Sequence, residues 1–131
     1  MALSLERKSQ DAQGHYQRWR LAAGDRLYLN FTQQPRNTGA LAKFFVGQTI
    51  FNPGVEWWAT PEGGRVTPET AFRPDYSKND ASHWAAHGAH PDIEERTGYR
   101  EDAPLSALRF TAVGGPAIVE VRSLIELKAG A

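Results

Sequence analysis

Residues 26–33 constrain this chain more than any other stretch: Leu27, Leu29 and Phe31 point to one side of an extended backbone, while Tyr28, Asn30 and Thr32 point to the other. Successive Cβ atoms of a strand leave opposite faces, so an apolar residue at every second position marks a strand with one face buried. A helix would scatter the same three side chains around its circumference. Upstream, residues 15–21 set Trp19 and Leu21 against Arg18 and Arg20 in the same rhythm. Gly24-Asp25 between the two runs supplies a turn, and the pair reads as a hairpin.

The same period returns near the C-terminus. Residues 105–113 and 117–127 are alternating runs on either side of Gly114-Gly115-Pro116, in which Val119, Val121, Ile125 and Leu127 oppose Glu120, Arg122 and Glu126. Leu124 interrupts the polar side, as a bulge or a covered outer face would require. In between, residues 40–51, 55–60 and 65–72 are short apolar runs punctuated by Gly47, Asn52-Pro53-Gly54 and Gly63-Gly64, with Pro68 placing the last of them near a sheet edge. About seven or eight strands at this spacing predict an all-β fold, an antiparallel β-sandwich or jelly roll. Residues 73–103 break the rhythm as one long polar and aromatic excursion. A short helix is expected there over 81–87, capped by Asn79 or Asp80, followed by a turn at 92–97 that Gly98 ends. At 131 residues the chain is expected to be a single domain, 1–131.

Composition removes several classes of function. Fifteen Lys and Arg balance fifteen Asp and Glu, so no overall basic field draws the chain to nucleic acid. The charge is uneven nonetheless. Residues 1–36 hold six basic and three acidic groups, a balance of +3, whereas residues 75–102 hold three basic and seven acidic groups, a balance of −4. With no cysteine there is no disulfide, thiolate metal site or thiol nucleophile. The start turns polar within six residues and no run reaches the roughly 20 apolar residues of a membrane helix, so neither a signal peptide nor a membrane partner is expected.

Catalytic patterns are weak. His83, His87 and His90 would share one face of a continuous helix and offer three nitrogens to a metal, the basis of a third-ranked reading as a metal-dependent hydrolase. Gly88 and Pro91 interrupt any such helix, so surface histidines are the preferred reading and neither a metal nor a cofactor is expected. Asp92, Glu94, Glu95, Glu101 and Asp102 are carboxylates of the same excursion. Glycoside cleavage needs two of them facing across a cleft, whereas sequence neighbours diverge, so a solvated acidic surface is expected. Phosphate-binding and nucleophile-elbow motifs are absent, and the chain is expected not to be an enzyme.

Aromatic residues point to binding instead. Trp57 and Trp58 are adjacent, so in a strand one enters the core and the other faces outward. Trp84, Tyr76 and Tyr99 lie in the excursion beside Arg73, Arg96 and Arg100. Flat amphipathic rings and guanidinium groups serve as protein-interface anchors or, for the rings, as platforms for sugars. These eight residues are the candidate binding set.

The stretch from Ala107 to Val121, Ala-Leu-Arg-Phe-Thr-Ala-Val-Gly-Gly-Pro-Ala-Ile-Val-Glu-Val, resembles the closing strands of small β-sandwich virion proteins of tailed phages, of the head-decoration or tail-associated type. Closing strands of jelly-roll carbohydrate-binding modules are similar. The phage resemblance implies a structural protein of the virion, assembled in the host cytoplasm with other protein subunits, and it assigns no functional residue. A glycan-binding module is the alternative.

Overall fold

The alternating runs become strands. A computed structural model of the chain describes residues 4–12, 14–30, 55–71, 84–101, 107–123 and 128–130. Among these residues lie β1 (Ser4–Asp11), β2 (Gly14–Leu21), β3 (Arg26–Asn30), β4 (Glu56–Pro61), β5 (Arg65–Ala71), β6 (Ala85–Ala86), β7 (Thr97–Arg100), β8 (Ala107–Val113), β9 (Ala117–Ser123) and β10 (Lys128–Gly130). They form two five-stranded sheets, here A and B, ordered β1-β2-β9-β4-β7 and β10-β3-β8-β5-β6. Every pairing between these strands is antiparallel. No helix among the described residues is long and apolar enough to cross a membrane.

The apolar members of the alternation meet in one sandwich-like core. Leu21, Trp57, Ala59, Val119 and Val121 from sheet A join Leu27, Leu29, Val66, Leu108, Phe110 and Ala112 from sheet B in a single buried cluster. Trp57 and Phe110 touch edge to face across the layer, with ring centroids 5.1 Å apart. Burying a side chain of this kind contributes roughly 1.5–3 kcal/mol, so these two rings weigh heavily in holding the sheets together.

The expected hairpin at Gly24-Asp25 and the turn at Gly114-Gly115-Pro116 prove to be arches that cross between the sheets. β2 lies in sheet A and β3 in sheet B, and likewise β8 lies in sheet B and β9 in sheet A. At the first crossing Gly24 takes a φ of 88°, its N–H donates to the Ala112 carbonyl at 2.7 Å, and the Ala112 N–H donates to the Asp25 carbonyl at 3.1 Å. β4 crosses to β5 through Gly63-Gly64 in the same way, and the second and third crossings press together. A Cβ on Gly64 would run into the Val113 carbonyl oxygen, and one on Gly115 would stand 2.8 Å from that of Glu62. Hairpins and arches ask for the same residues, glycines that accept positive φ. Only the partner strands, distant in sequence, decide between them.

The excursion also departs from expectation. Residues 81–83 of the expected helix lie outside the described residues, and its remainder is extended: Ala85 and Ala86 pair with Thr70 and Glu69 of β5. The His87 N–H donates to the Pro68 carbonyl at 3.0 Å, so it is not available to a helical ladder. In place of the expected turn, Ile93 bridges to Val66 through two backbone hydrogen bonds of 2.8 and 2.9 Å, and Gly98 sits inside β7. The strands expected over 40–51 and the interruption at Leu124 lie outside the described residues. β1 is new. Its side chains are almost all exposed and its register slips at Glu6, so it carries no apolar alternation to read.

Candidate functional site

The outward residues of sheet A fall into cross-strand rows fixed by the register. One row runs Arg18, Glu120, Trp58, Gly98 across β2, β9, β4 and β7, and the next runs Tyr16, Arg122, Glu56, Arg100. Trp58 leans over β7, where Gly98 leaves room: a Cβ at 98 would lie 2.6 Å from Trp58 Cδ1. This pairing of an aromatic with a cross-strand glycine lets the indole cover exposed backbone. Ion pairs surround it. Glu120 accepts from Tyr16 Oη and from Arg96 Nη1, the latter at 3.1 Å, and Arg18 Nη1 stands 3.6 Å away. Glu6 accepts from Arg18 Nε at 3.0 Å and Arg20 Nε at 2.8 Å. Arg122 Nη1 pairs with Asp11 at 3.1 Å, Arg20 Nη1 with Glu62 at 3.2 Å and Arg100 Nη1 with Glu56 at 4.0 Å.

Titration follows from this geometry. Burial pushes the Glu120 carboxyl up, but hydrogen bonds from Tyr16 and Arg96 and the charges of Arg96 and Arg18 outweigh it and hold the group below its ordinary value. Burial, then the hydrogen bond to Glu120 and that group's charge, push the Tyr16 phenol up. Hydrogen bonds from Arg20 and Arg18 hold the exposed Glu6 carboxyl low. The cations in these pairs are all arginines, which suit bidentate and stacked contacts better than lysines do.

A second polar group lies inside the molecule. Trp57 Nε1 donates to Glu101 Oε2 at 2.9 Å, and His87 Nε2 stands 2.7 Å from the same oxygen. His87 Nδ1 accepts the backbone N–H groups of Ala89 and His90, each at 3.2 Å, which assigns the ring hydrogen to Nε2. His87 is 4% exposed and Glu101 5%, and Tyr99 packs edge-on against His87, with centroids 4.8 Å apart. This network ties the 87–90 turn to β4 and the end of β7. Both His87 nitrogens are engaged within the protein. His83 lies outside the described residues, among which no group of three or more His, Cys, Asp or Glu could hold a metal ion.

The six described members of the candidate set do not converge. Trp58, Arg96 and Arg100 share the outer face of sheet A, whereas Trp57 and Tyr99 face inward. Trp84 precedes β6 and packs against sheet B, where the Arg109 guanidinium lies 4.4 Å from its ring centroid and Tyr28 meets it edge-on at 6.0 Å. Arg109 is in turn paired with Glu69 at 2.8 Å. Arg73 and Tyr76 lie outside the described residues. Of the candidate carboxylates, Asp92 accepts from Thr67 Oγ1 at 2.9 Å, Glu101 is in the buried network, Glu94 and Glu95 are exposed, and Asp102 is outside the described residues. Tyr16, Arg18, Glu120, Arg122 and Gly98 join the outer face without having been singled out from the sequence. Their outward alternation was legible, but the register that sets them beside Trp58 was not. Set beside known proteins, the chain matches no protein-family model and no curated protein.

Proposed function

We propose that this chain is a non-catalytic structural subunit of a multi-chain assembly, a phage virion component of the capsid-decoration or tail-associated type. The observation that carries the reading is the outer face of sheet A, where Trp58 and Tyr16 sit among arginines and carboxylates. Trp, Tyr and Arg are the residues that anchor protein interfaces. The buried His87, Glu101 and Trp57 bond to one another and to backbone, and in that role they hold the 87–90 turn to the sheet. Strand order supports a jelly-roll reading. With β1 and β10 set aside, the sheets run β2-β9-β4-β7 and β3-β8-β5-β6, the order of eight strands wound as two Greek keys, an architecture used by viral capsid and lectin domains. Fold alone does not choose between those uses.

Sedimentation velocity on the purified chain, alone and mixed with candidate phage head and tail proteins, tests the proposal. Formation of a defined complex is expected, and a chain that stays monomeric and binds none of them defeats it. A carbohydrate-binding jelly roll is a second reading, favoured by the Trp58 indole spread over Gly98 beside Thr60 and Glu120. Glycan-array binding that disappears in Trp58→Ala would select it, because one lost ring abolishes sugar stacking but only weakens an extended protein interface.

A further inference from the structure

Among the described residues, the four sheet borders are poor templates for adding a strand. β10, β6 and β7 have three, two and four residues. β1 is longer but carries a register slip at Glu6 followed by Arg7 and Lys8, the features that keep edge strands from pairing. Association is thus left to the faces. On sheet B the ring of Trp84 already has its own Arg109 stacked on it. On sheet A the charges of Arg18, Arg20, Arg96, Arg100 and Arg122 cancel those of Glu6, Asp11, Glu56, Glu62 and Glu120, while Arg7, leaning back over Tyr16 at 5.7 Å, leaves the face slightly positive. A face of mixed sign does not suit nucleic acid or a partner of single sign. It suits a surface with the same mosaic.

We propose that the outer face of sheet A is the interface of a homodimer, with two copies packed face to face about a two-fold axis running along β9. This rests on the assembly reading and names the first partner as a second copy of the chain. β9 is the middle strand of five, so such an axis lays β1 of one copy over β7 of the other and β2 over β4. The register then sets Ser9 of β1 over Arg100 of β7, with Asp11 one outward position to one side and Arg7, turned over Tyr16, to the other; Glu6 comes near Arg96, and Arg18 of β2 comes to the Trp58 indole, a cation–π arrangement. Asp11 and Arg100 are both more than half exposed, so each can reach a second molecule while keeping its contacts at home. The 33 strand residues of sheet A, each covering about 4.8 by 3.4 Å, give a footprint of about 540 Å² per copy before side-chain relief, below the roughly 800 Å² per partner of a standard interface.

The test is a charge exchange followed by sedimentation equilibrium over a dilution series. The parent chain is expected to show a concentration-dependent dimer. Asp11→Lys and Arg100→Glu, each on an exposed side chain, should each weaken it tenfold or more, because each sets like charges together at both ends of the interface. Mixing the two variants should restore the dimer, since the introduced lysine then opposes the introduced glutamate at one end while the original pairing of Asp11 with Arg100 remains at the other. Trp58→Ala should weaken association by a similar factor, whereas Thr111→Glu on the outer side of sheet B should leave it unchanged, with circular dichroism verifying the fold of each. A parent chain that is monomeric throughout, or a dimer that the exchange neither weakens nor restores, overturns the proposal. If that monomer still enters a complex with head or tail proteins, the assembly reading survives and the homodimer does not.

Discussion

Trp57 and Trp58 are sequence neighbours with opposite roles, and the period of a strand is enough to separate them. Trp57 is fully buried and donates its indole N–H to Glu101. Trp57→Phe keeps most of the apolar surface but leaves that buried carboxyl with one donor fewer, and losing a hydrogen bond to a buried polar group costs about 1–3 kcal/mol. Urea denaturation should show that loss, with little change in the slope against denaturant. On the other side of the sheet, Tyr16 helps to hold Glu120 below its ordinary carboxyl value. A depressed carboxyl stabilises the fold above the unfolded-state value, and that contribution disappears as pH falls through the folded-state value. Tyr16→Phe should therefore move the Glu120 midpoint upward in a carbon-13 carboxyl titration. It should also shrink the part of the stability that acid removes, so that parent and variant differ more at neutral pH than in strong acid.

At the scale of elements the glycine crossings carry the most risk. Gly64 has no space for a Cβ, because backbone atoms of the Val113-Gly114-Gly115 crossing already occupy it. Gly64→Ala must push two main chains apart, and a thermal melt should place its loss well above the ~1 kcal/mol centre of ordinary substitutions. Gly24→Ala meets no neighbouring atom but must hold a φ of 88°, and about 1 kcal/mol is expected there. These crossings mark the limit of what residue order reveals. Alternation announced β2, β3, β8 and β9 because each turns one apolar face to the core. The glycines announced that the chain bends, but not whether it returns within its own sheet. β1 was silent, since a strand that buries nothing has no pattern to show. The extended path at Ala85-Ala86 was hidden too, because two alanines favour helix by propensity and tertiary pairing with β5 overrides it. The candidate site was legible in its residue types and illegible in its grouping. Arg96, Arg100 and Trp58 share one face, whereas Trp57, Tyr99 and Trp84 do not, and register alone decides this.

For the whole molecule, sums of charge along the sequence mislead. The acidic stretch 75–102 contributes arginines, Arg96 and Arg100, to the outer face of sheet A, and the basic stretch 1–36 contributes Glu6 and Asp11. What a partner meets is the projection of each strand. The border strand β1 tests the same idea from another side. Arg7→Val together with Lys8→Val removes the charges that discourage strand addition, and a rise in thioflavin-positive aggregates on gentle heating is expected, with the parent chain staying clear. β8 and β9 occupy the middle of sheets B and A, respectively, although both follow in the chain the strands that they separate. Until the ribosome has added those residues, β2 and β4 have no strand between them, and neither do β3 and β5. The nascent polypeptide must therefore wait, with its future interior open to solvent, for segments still to be made. Closing the two sheets then carries a high loop-closure cost, and a chaperone that shields unpaired strands would raise the yield of native protein.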